Sequence, residues 1–134
     1  MSDALSSYLA GEIIDWLAQN DAFDAPPDTL YVSAEDATQT DRSGDLSDAP
    51  KAVASADWTR TNTAFENDDD VDLGEATADI EDVTYATIYD GADPGTANLL
   101  LSVDIDDTPF TVSAGTNLIW DAGDISFDAV EFSP

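Results

Sequence analysis

The C-terminal half of the chain alternates apolar and polar residues in short segments that are separated by Gly and Pro turns. The clearest segments are 82–90, "DVTYATIYD", and 98–106, "NLLLSVDID", with the turn "GADPGT" between them. In 98–106 the inward positions are Leu99, Leu101, Val103 and Ile105, and the outward ones are Ser102, Asp104 and Asp106. Strands at roughly ten-residue spacing indicate a mainly β fold, an antiparallel β-sandwich, which one N-terminal amphipathic helix precedes.

The predicted helix covers residues 2–20, and Ser2 or Asp3 could cap its first backbone N–H groups. Its apolar side chains recur at helical spacing and form one stripe: Leu5, Leu9, Ile13, Trp16 and Leu17, widened by Tyr8 and Ile14. The stripe either packs on its own domain, with Trp16 in the core, or contacts another subunit. As the largest apolar feature outside the sandwich, it is our predicted interface.

The length of 134 residues suits one domain, so we expect a single unit over 1–134 with the sandwich from residue 28 onward. A strand is predicted at 28–34, with Leu30, Val32 and Ala34 on one face. A long surface loop follows at about 35–50, and a weak strand is centred on Val53. Through 59–70 the pattern predicts only a turn at Asn67.

The chain has 30 Asp and Glu residues but only three Lys and Arg residues, which gives a net charge of −27 spread along the chain. A compact protein of this mass exposes roughly 6,800 Å², so the carboxylates lie about 15 Å apart. The Debye length falls from about 30 Å at 0.01 M salt to about 3 Å at 1 M. Self-repulsion is therefore tolerable chiefly in strong salt, and the composition predicts a halophilic protein. This feature describes the solvent and not the function.

The chain has no Cys and no His, which excludes disulfides, thiolate nucleophiles and Ser-His-Asp catalysis. Three scattered bases cannot offset the repulsion from phosphates, so we expect no nucleic-acid partner, and a DNA mimic is disfavoured because the acids follow strand alternation. No apolar run approaches the 18 or so residues that span a bilayer. The N-terminus "MSDALSS" lacks the positive n-region of a secretory signal, so we expect no such signal. We expect no enzyme activity, no cofactor, no membrane contact and synthesis in the cytoplasm.

Asp68, Asp70 and Asp72 form a D-x-D-x-D pattern like the opening of a calcium loop. The loop also needs Gly at its sixth position and Glu at its twelfth, where this chain has Leu73 and Asp79. About one such pattern is expected by chance in a chain this rich in Asp. These residues are weak metal candidates, and we predict no metal site.

Trp58 lies in the segment with the least readable periodicity, whereas Trp120 falls within a predicted strand and is assigned to the core. An aromatic side chain outside the core is a candidate for carbohydrate or protein recognition. Trp58 is therefore the predicted receptor contact, if the protein has one.

Several motifs in order resemble a family of small virion structural proteins of head–tail viruses, often labelled tail fibre or minor head protein. They are "IIDWLAQNDAFDAPP" (13–27), "LYVSAEDATQT" (30–40), "ATADIEDVTYATIYDG" (76–91) and "NLLLSVDIDDTPFTVSAGTNLIWDAGDISF" (98–127). Ile80 stands where the family commonly has Trp, Gly74 where it has Pro, and residues 35–61 match poorly. With its acidic surface, the chain looks like the version carried by a virus of halophilic archaea.

The resemblance implies a non-enzymatic virion protein that contacts other virion proteins and copies of itself, as a capsid decoration, turret, tail or fibre-base component. The alternative is a virion module that recognises a host-surface glycan or protein. A small cellular enzyme or stress protein is the least favoured reading.

Overall fold

A computed structural model describes residues 4–22, 27–105 and 108–129 and contains antiparallel sheets and one N-terminal helix, as predicted. Helix α1 is Ser7–Ala18. The strands are β1 (Ala4–Leu5), β2 (Thr29–Asp36), β3 (Lys51–Ala54), β4 (Trp58–Thr61), β5 (Ala64–Asn67), β6 (Val71–Glu75), β7 (Ile80–Tyr89), β8 (Leu99–Asp104), β9 (Phe110–Val112), β10 (Asn117–Trp120) and β11 (Ser126–Asp128). Short 3₁₀ turns lie at Ser43–Asp45 and Ser55–Asp57.

The strands form one large sheet and two small ones, and all their pairings are antiparallel. The large sheet has the order β1-β8-β7-β2-β3, and β9 also pairs with β7. The small sheets are β10-β6 and β11-β5-β4. Helix α1 contacts β8, so it lies at the β8–β1 side of the large sheet, and β3 forms the other edge.

The apolar core collects the inward side chains of all three sheets. Trp120 on β10 is its largest fully buried side chain, and the indole N–H donates to the Ser33 carbonyl of β2 at 3.1 Å. Phe110 meets the Trp120 ring edge-on at 6.0 Å between centroids. The assignment of Trp120 to the core is therefore confirmed, and this side chain joins a small sheet to the large one.

The second face of the large sheet is polar and yet buried. Ser33, Thr87 and Ser102 are cross-strand neighbours on β2, β7 and β8, and all three are buried. The prediction that Ser102 faces outward is therefore wrong. The segment 37–50, predicted as surface, covers part of this face, because Ser43 is buried and its hydroxyl bonds that of Ser33 at 2.6 Å. Asp106 lies outside the described residues.

The helix begins later than predicted. Ala4–Leu5 pairs with β8 as a short strand, and Ser6 is the N-cap, its hydroxyl accepting a hydrogen bond from Leu9 N–H at 3.0 Å. A Ser in this position satisfies one of the backbone donors that the first helical turn leaves unpaired. The predicted capping residues Ser2 and Asp3 lie outside the described residues.

The segment that resisted prediction is a tight hairpin of β4 and β5. Its two-residue loop is Asn62–Thr63, and Asn62 has a positive φ of 57°, which Asn tolerates better than most residues. The turn predicted at Asn67 is wrong. Asn67 is buried at the end of β5, and its amide bridges three backbone groups: the carbonyls of Asp69 and Asp121 and the N–H of Ile125.

Gly74 on β6 is required by both its backbone and its neighbours. Its φ is +86°, which proline cannot adopt, because the proline ring fixes φ near −65°. A Cβ at this position would collide with Ser47 Oγ and would lie 2.7 Å from the Asp48 backbone N, so any side chain would displace the loop that crosses here. The positive φ and the crossing loop therefore explain why this chain has Gly74 where the family that its motifs resemble commonly has Pro.

Candidate functional site

The predicted stripe of helix α1 divides into a packed half and an exposed half. Leu5, which precedes the helix, and Leu9 are partly buried and pack against the core, and Tyr8 and Ile13 are also partly buried. Trp16 is 55% exposed and Leu17 is 71% exposed. The placement of Trp16 in the core is therefore wrong. The first half of the stripe therefore packs on its own domain. The second half faces solvent, and its contact with another subunit stays a prediction.

A narrower apolar strip on the exposed half is made by Ile14 and Leu17, which we call the helix ridge. Residues three apart in a helix lie side by side, and Ile14 is itself 56% exposed. Asp15 adjoins Ile14 in the chain and is exposed. The ridge is thus an apolar, convex surface, and the Asp15 side chain projects about 100° away from Ile14 around the helix.

A pocket of about 580 Å³ lies where the β4–β5 hairpin meets the start of β2, and we call it the Trp58 pocket. Most of its wall is apolar, and the residues that line it include Leu30, Trp58, Arg60, Phe65 and Ala129. The rings of Trp58 and Phe65 meet edge-on at 5.4 Å between centroids. Trp58 is partly buried in this wall, so the residue predicted as a receptor contact is where a ligand or partner could reach it.

The hairpin register explains why these side chains share a surface. Arg60 pairs directly with Phe65, and Trp58 is two residues from Arg60 on the same strand. Cross-strand partners and alternate residues project from the same side of a sheet, so the three side chains lie together. Sequence reasoning missed Arg60 and Phe65. The available signal was Asn62 between two short alternating segments, a two-residue hairpin pattern.

Arg60 is the one basic side chain without an ion pair among the described residues. The other two are held by carboxylates: Arg42 by Asp45 at 2.7 Å and Asp36 at 3.4 Å, and Lys51 by Asp48 at 2.7 Å. Arg60 donates from Nε to the Asn62 carbonyl at 3.0 Å and is exposed. In a chain with thirty acids, an exposed guanidinium beside an apolar pocket is a distinctive anchor for a carboxylate.

The indole N–H of Trp58 is buried and has no hydrogen-bond acceptor within the described part of the chain. Leaving such a donor unpaired costs about 1–3 kcal/mol. The unpaired N–H is thus a cost of placing the Trp58 ring in the pocket wall, where the ring packs on Phe65.

A second polar cluster lies within the large sheet, around Glu35 on β2. Glu35 as a whole is 5% exposed, and its carboxylate accepts a hydrogen bond from the Ser102 hydroxyl at 2.9 Å. Burial raises the pKa of Glu35, the Ser102 bond opposes that rise, and the nearby Asp41 and Asp36 carboxylates add to it. Burial likewise raises the pKa of Tyr89, whose hydroxyl faces Asp41 at 3.4 Å.

Asp36, the next residue, behaves in the opposite way. Burial favours its protonated form, but hydrogen bonds from Thr38 and Thr40, with one from Arg42, outweigh burial and lower the pKa of the Asp36 carboxyl. These bonds close the loop that follows β2. Asp36 therefore holds residues 38–42 against the end of β2, whereas Glu35 bonds β8 within the sheet, and both tasks are structural.

Asp68, Asp70 and Asp72 do not converge on a common point. Each accepts a hydrogen bond from a different part of the chain: Asp68 from the Thr59 hydroxyl, Asp70 from Ala122 N–H at 2.9 Å, and Asp72 from Gly74 N–H at 2.8 Å. Within residues 4–22, 27–105 and 108–129, no three acidic side chains are grouped so that they could hold a metal ion. The three carboxylates instead stabilise local turns and strand ends.

The described residues contain no helix with the length and apolarity needed to cross a bilayer. Two surfaces remain that could bind a partner, the helix ridge and the Trp58 pocket. Both are largely apolar, and the pocket has Arg60 at its margin.

Comparison with known families identifies one match. The family model described as "Podophage GP4 fiber I protein gp80" matches residues 4–128 of the chain. The comparison with curated proteins found no match.

Proposed function

Because the match covers nearly the whole chain, the protein belongs to the family described as Podophage GP4 fiber I protein gp80, and we propose that it serves as a non-enzymatic structural component of a tailed-virus particle. The family's description names a podophage fibre protein, which agrees with the resemblance to virion structural proteins of head–tail viruses that the sequence motifs indicate. The family match from residue 4 to residue 128 is the observation that carries the proposal.

The finer proposal is that the chain, as one domain over 1–134, assembles through apolar faces at a capsid decoration, turret, tail or fibre base. Virion proteins work by burying surface against neighbours, so the relevant site is an interface and not a cleft. The exposed half of α1 supports this reading, because Ile14 and Leu17 offer apolar surface that the rest of the domain leaves uncovered. Its partners would be other virion proteins and copies of itself.

We also propose that the virus infects a halophilic host. The net charge of −27 is distributed over the exterior, and in the described residues Glu35 is the only acid that is buried. An exterior of this kind is tolerable where salt screens the carboxylates from one another.

The role is tested by introducing Leu17→Asp into the virus and measuring the protein in purified particles by quantitative mass spectrometry. We expect wild-type protein in several copies per particle and at least a tenfold loss for Leu17→Asp, because a charge on the ridge must be desolvated on contact. Gln19→Asp is the matched control, since it adds the same charge at the C-cap of the helix, on the side that faces away from the ridge. Absence of wild-type protein from particles would refute the structural role.

The alternative is that the protein recognises a host-surface glycan or protein through Trp58. The specific observation in its favour is the pocket of about 580 Å³ in which Trp58 and Phe65 form an aromatic wall. Virus carrying Trp58→Ala distinguishes the two functions. Intact particles that no longer attach to the host would establish recognition, whereas normal attachment would leave only the structural role.

A further inference from the structure

We propose that residues 130–134 of this chain, Val-Glu-Phe-Ser-Pro, fill the Trp58 pocket of the same molecule. Phe132 would place its ring on the aromatic wall of the pocket, and Glu131 would pair with Arg60. The proposal names an occupant for a surface that the virion role leaves unassigned, and it does not depend on that role.

The chain arrives at the rim of the pocket at Ala129. Strand β11 lies beside β5, with Phe127 directly opposite Phe65. The Ala129 N–H extends this pairing by donating to the Thr63 carbonyl at 3.0 Å. Ala129 is exposed and is itself one of the residues that line the pocket. Residue 130 is therefore bonded covalently to the pocket wall.

The pocket lies within reach of the residues that follow Ala129. An extended chain spans about 3.3–3.6 Å per residue, so Phe132 can reach up to about 10 Å from Ala129. Neighbouring strands are about 4.8 Å apart, and β5, which carries Phe65, is the strand next to β11. A short tether of this kind gives a segment an effective concentration of millimolar order at its site. The tether therefore favours this segment over a partner that must arrive from solution.

The aromatic wall of the pocket matches the Phe132 side chain. The rings of Trp58 and Phe65 meet edge-on at 5.4 Å, and Phe65 in turn packs on Phe127 at 5.6 Å. Aromatic rings at such spacings stabilise a contact beyond the area that they bury. A volume of about 580 Å³ has room for one more ring, which would continue this row and remove the exposed part of the wall from water.

The charges at the pocket also suit this segment. Glu131 is the one charged residue among 130–134 and directly precedes Phe132. Arg60 lines the pocket and is the basic residue that makes no ion pair within the described part of the chain. A guanidinium can hold a carboxylate by two parallel hydrogen bonds. Asp28 also lines the pocket and would repel a second carboxylate, so Glu131 is expected on the Arg60 side.

Closure by this segment would control access to the pocket. A glycan or protein that uses Trp58 must first displace residues 130–134, and displacement breaks the contacts of Phe132 and Glu131. Variants that lack those contacts should therefore have a pocket that is open to small molecules in solution.

The test observes the Trp58 ring by NMR spectroscopy of the full chain in strong salt, with its signals assigned from Trp58→Phe. We expect nuclear Overhauser contacts from the Phe132 ring to the rings of Trp58 and Phe65, at equal strength over a tenfold range of protein concentration. Phe132→Ala should shift the Trp58 signals, because the neighbouring ring current is lost. It should also raise at least threefold their broadening by TEMPOL, a small neutral nitroxide that can enter an open pocket. Ser133→Ala is the matched control and should leave both measurements unchanged.

The charge pair has its own set of variants. Arg60→Glu and Glu131→Arg should each raise the TEMPOL broadening of the Trp58 signals at least twofold. The double variant should return the broadening to the wild-type value, because the exchanged charges can pair again. Lys51→Glu makes the same charge change as Arg60→Glu outside the pocket and should have no effect.

A wild-type chain without contacts from Phe132 to the Trp58 or Phe65 ring would overturn the proposal, as would Trp58 signals that do not respond to Phe132→Ala. Contacts that appear only at high protein concentration would assign the segment to a second copy and overturn closure within one chain. An exchanged pair that restores nothing would refute the contact of Glu131 with Arg60. These measurements use the isolated chain, whereas the virion role is tested on particles, so either proposal can fail while the other stands.

Discussion

The acidic segment 68–82 and the buried acid Glu35 place the same chemical group in opposite surroundings. Seven of the eight acids in that segment are exposed, and Asp72 is partly buried. The apolar residues between them, including Val71, Leu73 and Ile80, point into the core. Glu35 instead lies in the polar face of the large sheet, where Ser102 is its hydrogen-bond donor.

The comparison separates two electrostatic costs. Exposed carboxylates keep their hydration, and what they add to instability is mutual repulsion, which dissolved salt screens. Glu35 loses hydration, and screening in the solvent does not return it. The destabilisation caused by the exterior carboxylates therefore depends on the salt concentration. The desolvation of Glu35 destabilises the fold at any salt concentration.

Removing salt should produce the largest effect, because it acts on the whole exterior at once. On dialysis from about 2 M to below about 0.1 M salt, we expect the midpoint of thermal unfolding to fall by roughly 10 °C or more, about 3 kcal/mol for a domain of this size. Circular dichroism at matched pH measures the change. An unchanged midpoint would mean that the exterior carboxylates are not in significant repulsion, and the comparison would fail.

The buried Asn67 amide carries no charge, so it sharpens the comparison: its contribution to the free energy of unfolding depends on its hydrogen bonds alone. Asn67→Ala leaves two carbonyls and the Ile125 N–H without their side-chain partner, so we expect a loss of about 2–3 kcal/mol in the free energy of unfolding. Urea titration at high salt measures it. Asn117→Ala, an exposed control whose amide bonds Asp72, should cost far less. Equal losses would show that burial does not matter at Asn67.

The smallest expected effect comes from neutralising Glu35. Its folded pKa is raised above the ordinary value of 4.5, so its contribution to stability is fully present below about pH 4.5 and is lost as the pH rises through the folded pKa. Glu35→Gln can still accept from Ser102 and removes this loss. We therefore expect Glu35→Gln to match wild type in acid and to be more stable at pH 7, on the order of 1 kcal/mol.

The measurement is urea unfolding of both proteins across this pH range in strong salt, with the exposed Glu81→Gln as control. Glu81→Gln should show a much smaller difference. A Glu35→Gln protein that is less stable than wild type at pH 7 would mean that the charge of Glu35 has a partner that favours it, contrary to the contrast drawn with segment 68–82.

Local periodicity was sufficient to predict the mainly β fold, the N-terminal helix and the central strands. It worked for Leu101, Val103 and Trp120, because a period of two along a strand directly reflects which side chains face the core. It also supplied the stripe on α1. The same pattern could not say where the stripe stops packing, since that depends on how far β8 extends beneath the helix.

The amino-acid sequence by itself determined the acidic exterior, the missing thiol and imidazole chemistry and the alternation of the strands, because each is a property of composition or of near neighbours. Only the tertiary structure decided that Ser102 and Glu35 are buried, that Asn67 braces three backbone groups, and that Trp58, Arg60 and Phe65 share a surface. Those outcomes depend on segments distant in the chain folding over one another, and burial by a distant segment leaves no periodic trace in the residues that it covers.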